Sequence, residues 1–128
     1  MKLLITGGAG FIGSNFIKYL LTADSAVKIW NLDALTYAGN LENLKEIEQN
    51  PNYSFIHGSI CNYELVAHII YTNKIDYIVH FAAESHVDRS ISNPDIFVET
   101  NVMGTLTLLN AARKLNIKKY VQVSTDEV

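Results

Sequence analysis

The feature that most constrains this chain lies at its start, where a short apolar run meets three regularly spaced glycines. Residues 2–6 read as a buried strand, and Gly7, Gly10 and Gly13 follow at the spacing Gly-x-x-Gly-x-x-Gly. Residues 11–22 then carry Ile12, Phe16, Tyr19 and Leu20 at helical spacing. A strand, a glycine turn and a helix in that order leave few uses. Gly7 suits the tight turn out of the strand, and Gly10 lets backbone approach a pyrophosphate. Gly13 lets the helix pack close to the sheet. The free N–H groups of Phe11 and Ile12 and the dipole of that helix favour an anion at its start.

The pattern continues as strand and helix in alternation. Residues 27–32, 53–57, 76–80 and 119–124 are further strand signals. Leu41, Leu44 and Ile47 mark a short amphipathic helix that stops before Asn50-Pro51. Asn62 caps a helix whose inner face holds Leu65, Val66, Ile69 and Ile70. Asn93-Pro94 starts a long helix expected to reach Lys114, with Asn116 as its stop. Such alternation gives an α/β fold: a doubly wound parallel sheet of Rossmann type, five strands in order 3-2-1-4-5. The chain closes on a strand with no covering helix. Residues 1–128 are therefore expected to be an incomplete dinucleotide-binding domain, truncated before the rest, with the substrate domain absent.

Asp33 ends the second strand roughly 20 residues after Gly13, where an acid holds the ribose hydroxyls of an adenosine. A carboxylate there repels a 2′-phosphate, so NAD is expected rather than NADP. The net charge of -3 supplies no basic field for nucleic acid or an anionic membrane. The opening apolar run is too short for a signal peptide, and no stretch suits a membrane span. One cysteine, Cys61, forms no internal disulfide, which fits a reducing, cytoplasmic setting. His57, His68, His80 and His86 lack ligand spacing, so no metal site is expected; His80 reads as the end of a buried strand.

In an open parallel sheet, ligands bind beyond the carboxyl ends of the strands where the order reverses. Here that point lies between the first and fourth strands. The loops meeting there carry the glycines, Glu84-Ser85-His86-Val87-Asp88-Arg89-Ser90, and Ser124-Thr125-Asp126-Glu127. Two carboxylates beside a hydride acceptor suit acid–base chemistry joined to redox chemistry, although an acidic loop without a task carries the same letters.

Three separated segments add a resemblance. Asp33-Ala34-Leu35-Thr36-Tyr37-Ala38-Gly39-Asn40, the run 82–91 beginning Ala82-Ala83-Glu84-Ser85, and Ser124-Thr125-Asp126-Glu127-Val128 are similar to segments of the dTDP-glucose 4,6-dehydratase family. That family lies within the extended short-chain dehydrogenases/reductases, which the glycine spacing, Phe81-Ala82-Ala83 and Asn101 also resemble. The resemblance implies an NAD site at Gly7, Gly10, Phe11, Ile12, Gly13, Asp33, Leu35, Thr36, Ser59, Ile60, Phe81, Ala82, Ala83, Ser85 and Thr100. It implies substrate contacts at Glu84, Ser85 and Thr125, with dTDP-glucose as the nucleotide sugar. The implied reaction passes hydride from the sugar C4 to NAD, eliminates water across C5 and C6, and returns the hydride to C6. Glu127 is implied as the base at C5, Asp126 as the acid at the C6 hydroxyl, and Thr125 as a hydrogen-bonding partner of the C4 oxygen.

The chain departs from the family at two points. Ser59 stands where an aspartate is usual near the adenine, and no Tyr-x-x-x-Lys pair follows in the expected place. Val98, Val102, Leu106 and Leu109 form an apolar stripe, with Phe97, Leu108 and Leu115 lying off it. That is more apolar surface than one buried face requires, and the resemblance implies pairing in a homodimer. A sugar-nucleotide 4-epimerase is the second enzyme reading, weakened by Asp126-Glu127. An NAD-binding sensor without chemistry is the non-enzyme alternative. Tyr-x-x-x-Lys in the continuing gene separates enzyme from sensor.

Overall fold

A computed structural model describes residues 1–36, 39–83 and 91–124. Its centre is a five-stranded sheet in the order β3-β2-β1-β4-β5, with every pairing parallel. The strands are β1 (Lys2–Thr6), β2 (Lys28–Asp33), β3 (Tyr53–His57), β4 (Tyr77–His80) and β5 (Lys119–Gln122). The order expected from the alternation is the order found.

Successive side chains of β1 face opposite sides of the sheet, and both sides are covered. Leu3 and Ile5 pack with Ile17, Val27, Ile29 and Val79 on one side. Leu4 packs with Leu32, Val66, Ile69, Ile78 and Leu108 on the other. This double burial is why the first strand is an unbroken apolar run rather than an alternating one. The first core is roofed by α1 (Phe11–Ala23), the second by α2 (Tyr63–Asn73) and by the helix after residue 104.

The element ends follow local chemistry. Asn62 Oδ1 accepts from Leu65 N at 3.1 Å, and Lys74 closes α2 in the left-handed region at φ 53. Asn116 takes the same conformation at φ 57, as expected of the residue after a helix end. Strand ends shift by a residue or two from the sequence reading. β2 starts at Lys28 and takes in Asp33; β4 starts at Tyr77, after Asp76 has turned its carboxylate onto Lys2 N at 3.0 Å. β5 ends at Gln122, whose partner His80 is the last residue of β4.

Two elements differ in kind. The helix over Leu41–Ile47 is 3-10, with Asn40 Oδ1 accepting from Glu42 N at 3.0 Å. The long helix is not uniform: α3 (Pro94–Phe97) passes into a π-helix (Val98–Gly104) and then α4 (Thr105–Lys114). Asn93 makes no side-chain capping bond, so Pro94 alone marks the start. Apolar spacing does not distinguish one wide turn from an ordinary helix, and π turns gather at functional sites. The wide turn presses onto Ile60: a Cβ on Gly104 would stand 2.3 Å from Ile60 Cδ1. The stripe of Val98, Val102, Leu106 and Leu109 lies on the exposed side, while Leu108 is fully buried.

Candidate functional site

Parallel pairing brings the carboxyl ends of β1, β2 and β4 into line, with Thr6 level with Leu32 on one side and His80 on the other. The glycine turn leaves β1 at that edge. Gly7 has φ +72, and a Cβ there would lie 2.5 Å from Ala82 N, so only glycine fits. Gly13 differs from the sequence expectation. Its Cβ would meet Gly7 O at 2.5 Å and Gly8 Cα at 2.9 Å, so it packs α1 onto the turn itself rather than onto the strand.

The turn is held almost entirely by its own N–H groups. Gly7 N donates to Leu32 O at 3.0 Å, Gly8 N to Asn31 Oδ1 at 3.0 Å, and Ala9 N to Asp33 Oδ2 at 2.8 Å. Gly10 N closes back on Gly7 O at 3.2 Å. The next N–H groups, of Phe11, Ile12 and Gly13, open α1 and have no preceding turn to bond to. The fold thus uses up the N–H groups before Gly10 and presents those after it. Phe11 and Ile12 are 79% and 63% exposed and apolar, so what they offer a phosphate is backbone N–H.

Asp33 is buried, and its second oxygen, Oδ1, accepts from Leu35 N at 2.8 Å. That bond holds Leu35 in the left-handed region at φ 55. Each carboxylate oxygen keeps a further lone pair for a ribose hydroxyl. Asn31, two residues earlier on the same face, is wholly buried; its amide also donates to Tyr53 Oη at 3.1 Å. Burial raises the Tyr53 phenol above its ordinary value, so the ring stays neutral.

One cleft collects most of the residues named from sequence. Gly7, Gly10, Asp33, Thr36, Ser59, Ile60, Phe81, Ala82, Ala83 and Thr100 line it, together with Leu32, Ala34, Gly39, Gly58, Cys61 and Glu99. Glu99 and Thr100 arrive there on the π turn. Ser59 is exposed and its Oγ accepts from Cys61 N at 3.1 Å, while Cys61 Sγ donates to Glu99 O at 3.3 Å. Phe11, Ile12, Gly13 and Leu35 do not line the cleft; Leu35 packs against the core on the α1 side. Glu84, Ser85, Thr125, Asp126 and Glu127 lie outside the described residues.

Sequence reading missed the polar supports behind the cleft. Asn43 Nδ2 and Asn40 N both donate to Ala9 O, at 2.9 and 3.1 Å. His80 is 1% exposed, with Nδ1 2.6 Å from Thr6 Oγ1 and Nε2 3.2 Å from Thr105 Oγ1. Burial pushes its imidazole down to about 4, so it is neutral at pH 7. A polar residue inside an otherwise apolar strand was the available signal for both Asn31 and His80.

These features fit a dinucleotide. Gly7 and Gly10 of the turn line the cleft beside a buried acid at the end of β2, and Gly7 meets the Phe81–Ala83 loop with no room for a side chain. The cleft's described lining carries Asp33 and Glu99 and no Lys or Arg. Among the described residues no group of His, Cys, Asp or Glu is placed to hold a metal. No described helix is long and apolar enough to cross a membrane.

Comparison with known proteins gives a consistent picture. Residues 4–128 match the family described as GDP-mannose 4,6 dehydratase. The chain is 53% identical to the low-salt glycan biosynthesis protein Agl12 of Haloferax volcanii, covering 100% of this chain and 40% of that protein. It is 48% identical to a dTDP-glucose 4,6-dehydratase of Escherichia coli, covering 100% and 38%. A crystal structure of dTDP-glucose 4,6-dehydratase from Bacillus anthracis in complex with NAD superposes with a TM-score of 0.88. It is 52% identical and covers 100% of this chain and 38% of that one. The chain therefore spans about 40% of the length of the curated relatives it matches.

Proposed function

The chain belongs to the family described as GDP-mannose 4,6 dehydratase, and on that premise we propose that it forms the NAD-binding half of a dTDP-glucose 4,6-dehydratase. One observation carries the cofactor reading: Asp33 is bonded into the glycine turn, so the ribose-binding acid and the phosphate-binding helix start form one rigid unit. The proposed site comprises Gly7, Gly10, the backbone of Phe11, Ile12 and Gly13, Asp33, Leu35, Thr36, Ser59, Ile60, Phe81 to Ala83, Ser85 and Thr100. Leu35 acts there through its backbone, which shapes the Asp33 turn.

The bound NAD supplies a hydride acceptor at the sugar C4 and a hydride donor at C6. The chain's own residues supply the elimination chemistry. The base that takes the C4 hydroxyl proton is the tyrosine of a Tyr-x-x-x-Lys pair that these 128 residues do not contain, so they are expected to be inactive by themselves. Thr125 hydrogen-bonds the C4 oxygen, Glu127 takes the C5 proton, and Asp126 protonates the departing C6 hydroxyl. Glu84 and Ser85 join Thr125 in holding the sugar. In sequence they follow β4 and β5, the strands that end at His80 and Gln122. A cytoplasmic setting and pairing of two copies through the exposed stripe of Val98, Val102, Leu106 and Leu109 complete the reading.

The test uses a protein of the relatives' full length that carries this sequence. Glu127→Gln should keep hydride transfer from C4 but lose exchange of the C5 proton with solvent. Asp126→Asn should slow loss of the C6 hydroxyl by roughly 100-fold or more. Rapid-quench mass spectrometry in deuterated water reads both; elimination at the unmodified rate in either variant refutes that role.

A further inference from the structure

We propose that His80 is a positioning residue, a neutral imidazole fixed as its Nε2–H tautomer that ties the Phe81–Ala83 wall of the cleft to the π turn carrying Thr100. This deepens the cofactor reading and rests on it. The hydrogen-bonded chain runs from Ala82 N to Thr6 Oγ1 at 3.5 Å, and from Thr6 Oγ1 to His80 Nδ1 at 2.6 Å. It continues from His80 Nε2 to Thr105 Oγ1 at 3.2 Å, and from there to Asn101 O at 2.9 Å.

The Thr105 end of this chain fixes the direction of every proton in it. A main-chain carbonyl only accepts, so Thr105 commits its single proton to Asn101 O. Its oxygen must then accept, and His80 Nε2 carries the hydrogen. At the far end an amide only donates, so Thr6 Oγ1 accepts from Ala82 N. A neutral ring carries only the one hydrogen at Nε2, so His80 Nδ1 is a bare lone pair and accepts the Thr6 proton. No described carboxylate hydrogen-bonds the ring; its aromatic neighbour is Tyr120, with centroids 6.4 Å apart.

The arrangement has a mechanical consequence. Thr6 receives Phe81 N on its carbonyl at 2.9 Å and Ala82 N on its hydroxyl, so it sets the start of the loop after β4. Ala82 is also the residue that Gly7 touches. Thr105 and Asn101 belong to the helix that presents Glu99 and Thr100 to the opposite side of the cleft. Position 80 thus links both walls through one ring, and an apolar side chain there packs but does not link.

Two measurements on the 128-residue chain test this. Nitrogen-15 spectra of the histidine rings at pH 7 should show an unprotonated Nδ1 and a protonated Nε2 at His80. The opposite tautomer, an averaged pair or a charged ring overturns the proposal without any cofactor present. Calorimetric titration with NAD should then show Thr105→Val binding about five- to tenfold more weakly. Thr105→Ser, which keeps the hydroxyl, should return to within about twofold. Equal affinity in a folded Thr105→Val variant, or equal loss in both variants, overturns the link. If Thr105→Val does not fold, His80→Gln, whose amide still reaches Thr105, is compared with His80→Leu. Gln must then bind NAD more tightly, and parity between the two overturns the link. An unmodified chain that binds no NAD overturns the cofactor reading and the linker's task with it. NAD binding with the wrong tautomer overturns the linker alone.

Discussion

Asp33 Oδ2 accepts the Ala9 main-chain N–H at 2.8 Å, so the acid at the end of β2 is a structural member of the glycine turn it faces. Its other oxygen takes Leu35 N at 2.8 Å. A residue placed by sequence as a ligand contact is therefore also a folding contact, and its substitution acts on both.

Asp33→Asn should narrow the preference for NAD over NADP, because the charge that opposes a 2′-phosphate is gone. It should also destabilise the chain by about 1–3 kcal/mol. One side of an amide is a donor and cannot accept from both backbone N–H groups. Urea unfolding and parallel titrations with both cofactors check this; unchanged stability would mean that the two bonds are dispensable.

Asn31→Leu should cost about 1–3 kcal/mol by leaving Gly8 N without its acceptor and Tyr53 Oη without its donor, in a position with no access to water. The predicted local signature is faster amide exchange at Gly8 than in the unmodified chain. Unaltered exchange there would show that the turn holds without Asn31.

Stability should fall as pH is lowered from about 6.5 towards 4. The His80 imidazole is pushed down to about 4 by burial, so over that window the unfolded chain binds a proton that the folded chain refuses. Its contribution is complete above the unfolded value and lost as pH drops through the folded one, amounting to about 3 kcal/mol. Unfolding of the unmodified chain and His80→Gln at several pH values isolates the effect. Equal slopes in the two proteins would contradict it. Asp76, held below its ordinary 3.8 mainly by the Lys2 backbone N–H, adds a loss in the same direction at still lower pH.

The strand order and the glycine turn were legible because both are written in local pattern. Leu3 to Ile5 are continuously apolar because both sheet faces are covered, and Gly7 has no alternative at φ +72. The role of Gly13 was misread, since spacing alone does not say whether a helix closes on a strand or on the preceding turn. The π turn was invisible for a related reason: Val98, Val102, Leu106 and Leu109 keep a helical stripe while the backbone widens beneath them. Asn31 drew no reading, and His80 only that of a buried strand end, because their partners, Gly8, Tyr53, Thr6 and Thr105, come from distant segments. No period in the sequence relates a strand residue to a threonine 25 positions along the chain.

The central claim, that the glycine turn and the Phe81–Ala83 loop form an NAD site, is tested most directly by amide NMR of the chain during titration with NAD. The account predicts saturable shifts at the N–H groups of Phe11, Ile12 and Gly13, at Asp33 and Thr36, and at Ala82 and Ala83. NADP should need a higher concentration to produce them. No saturable change, or changes confined to the groove of Ile70, Tyr71, Ile75 and Leu115 on the far side of α2, would contradict it.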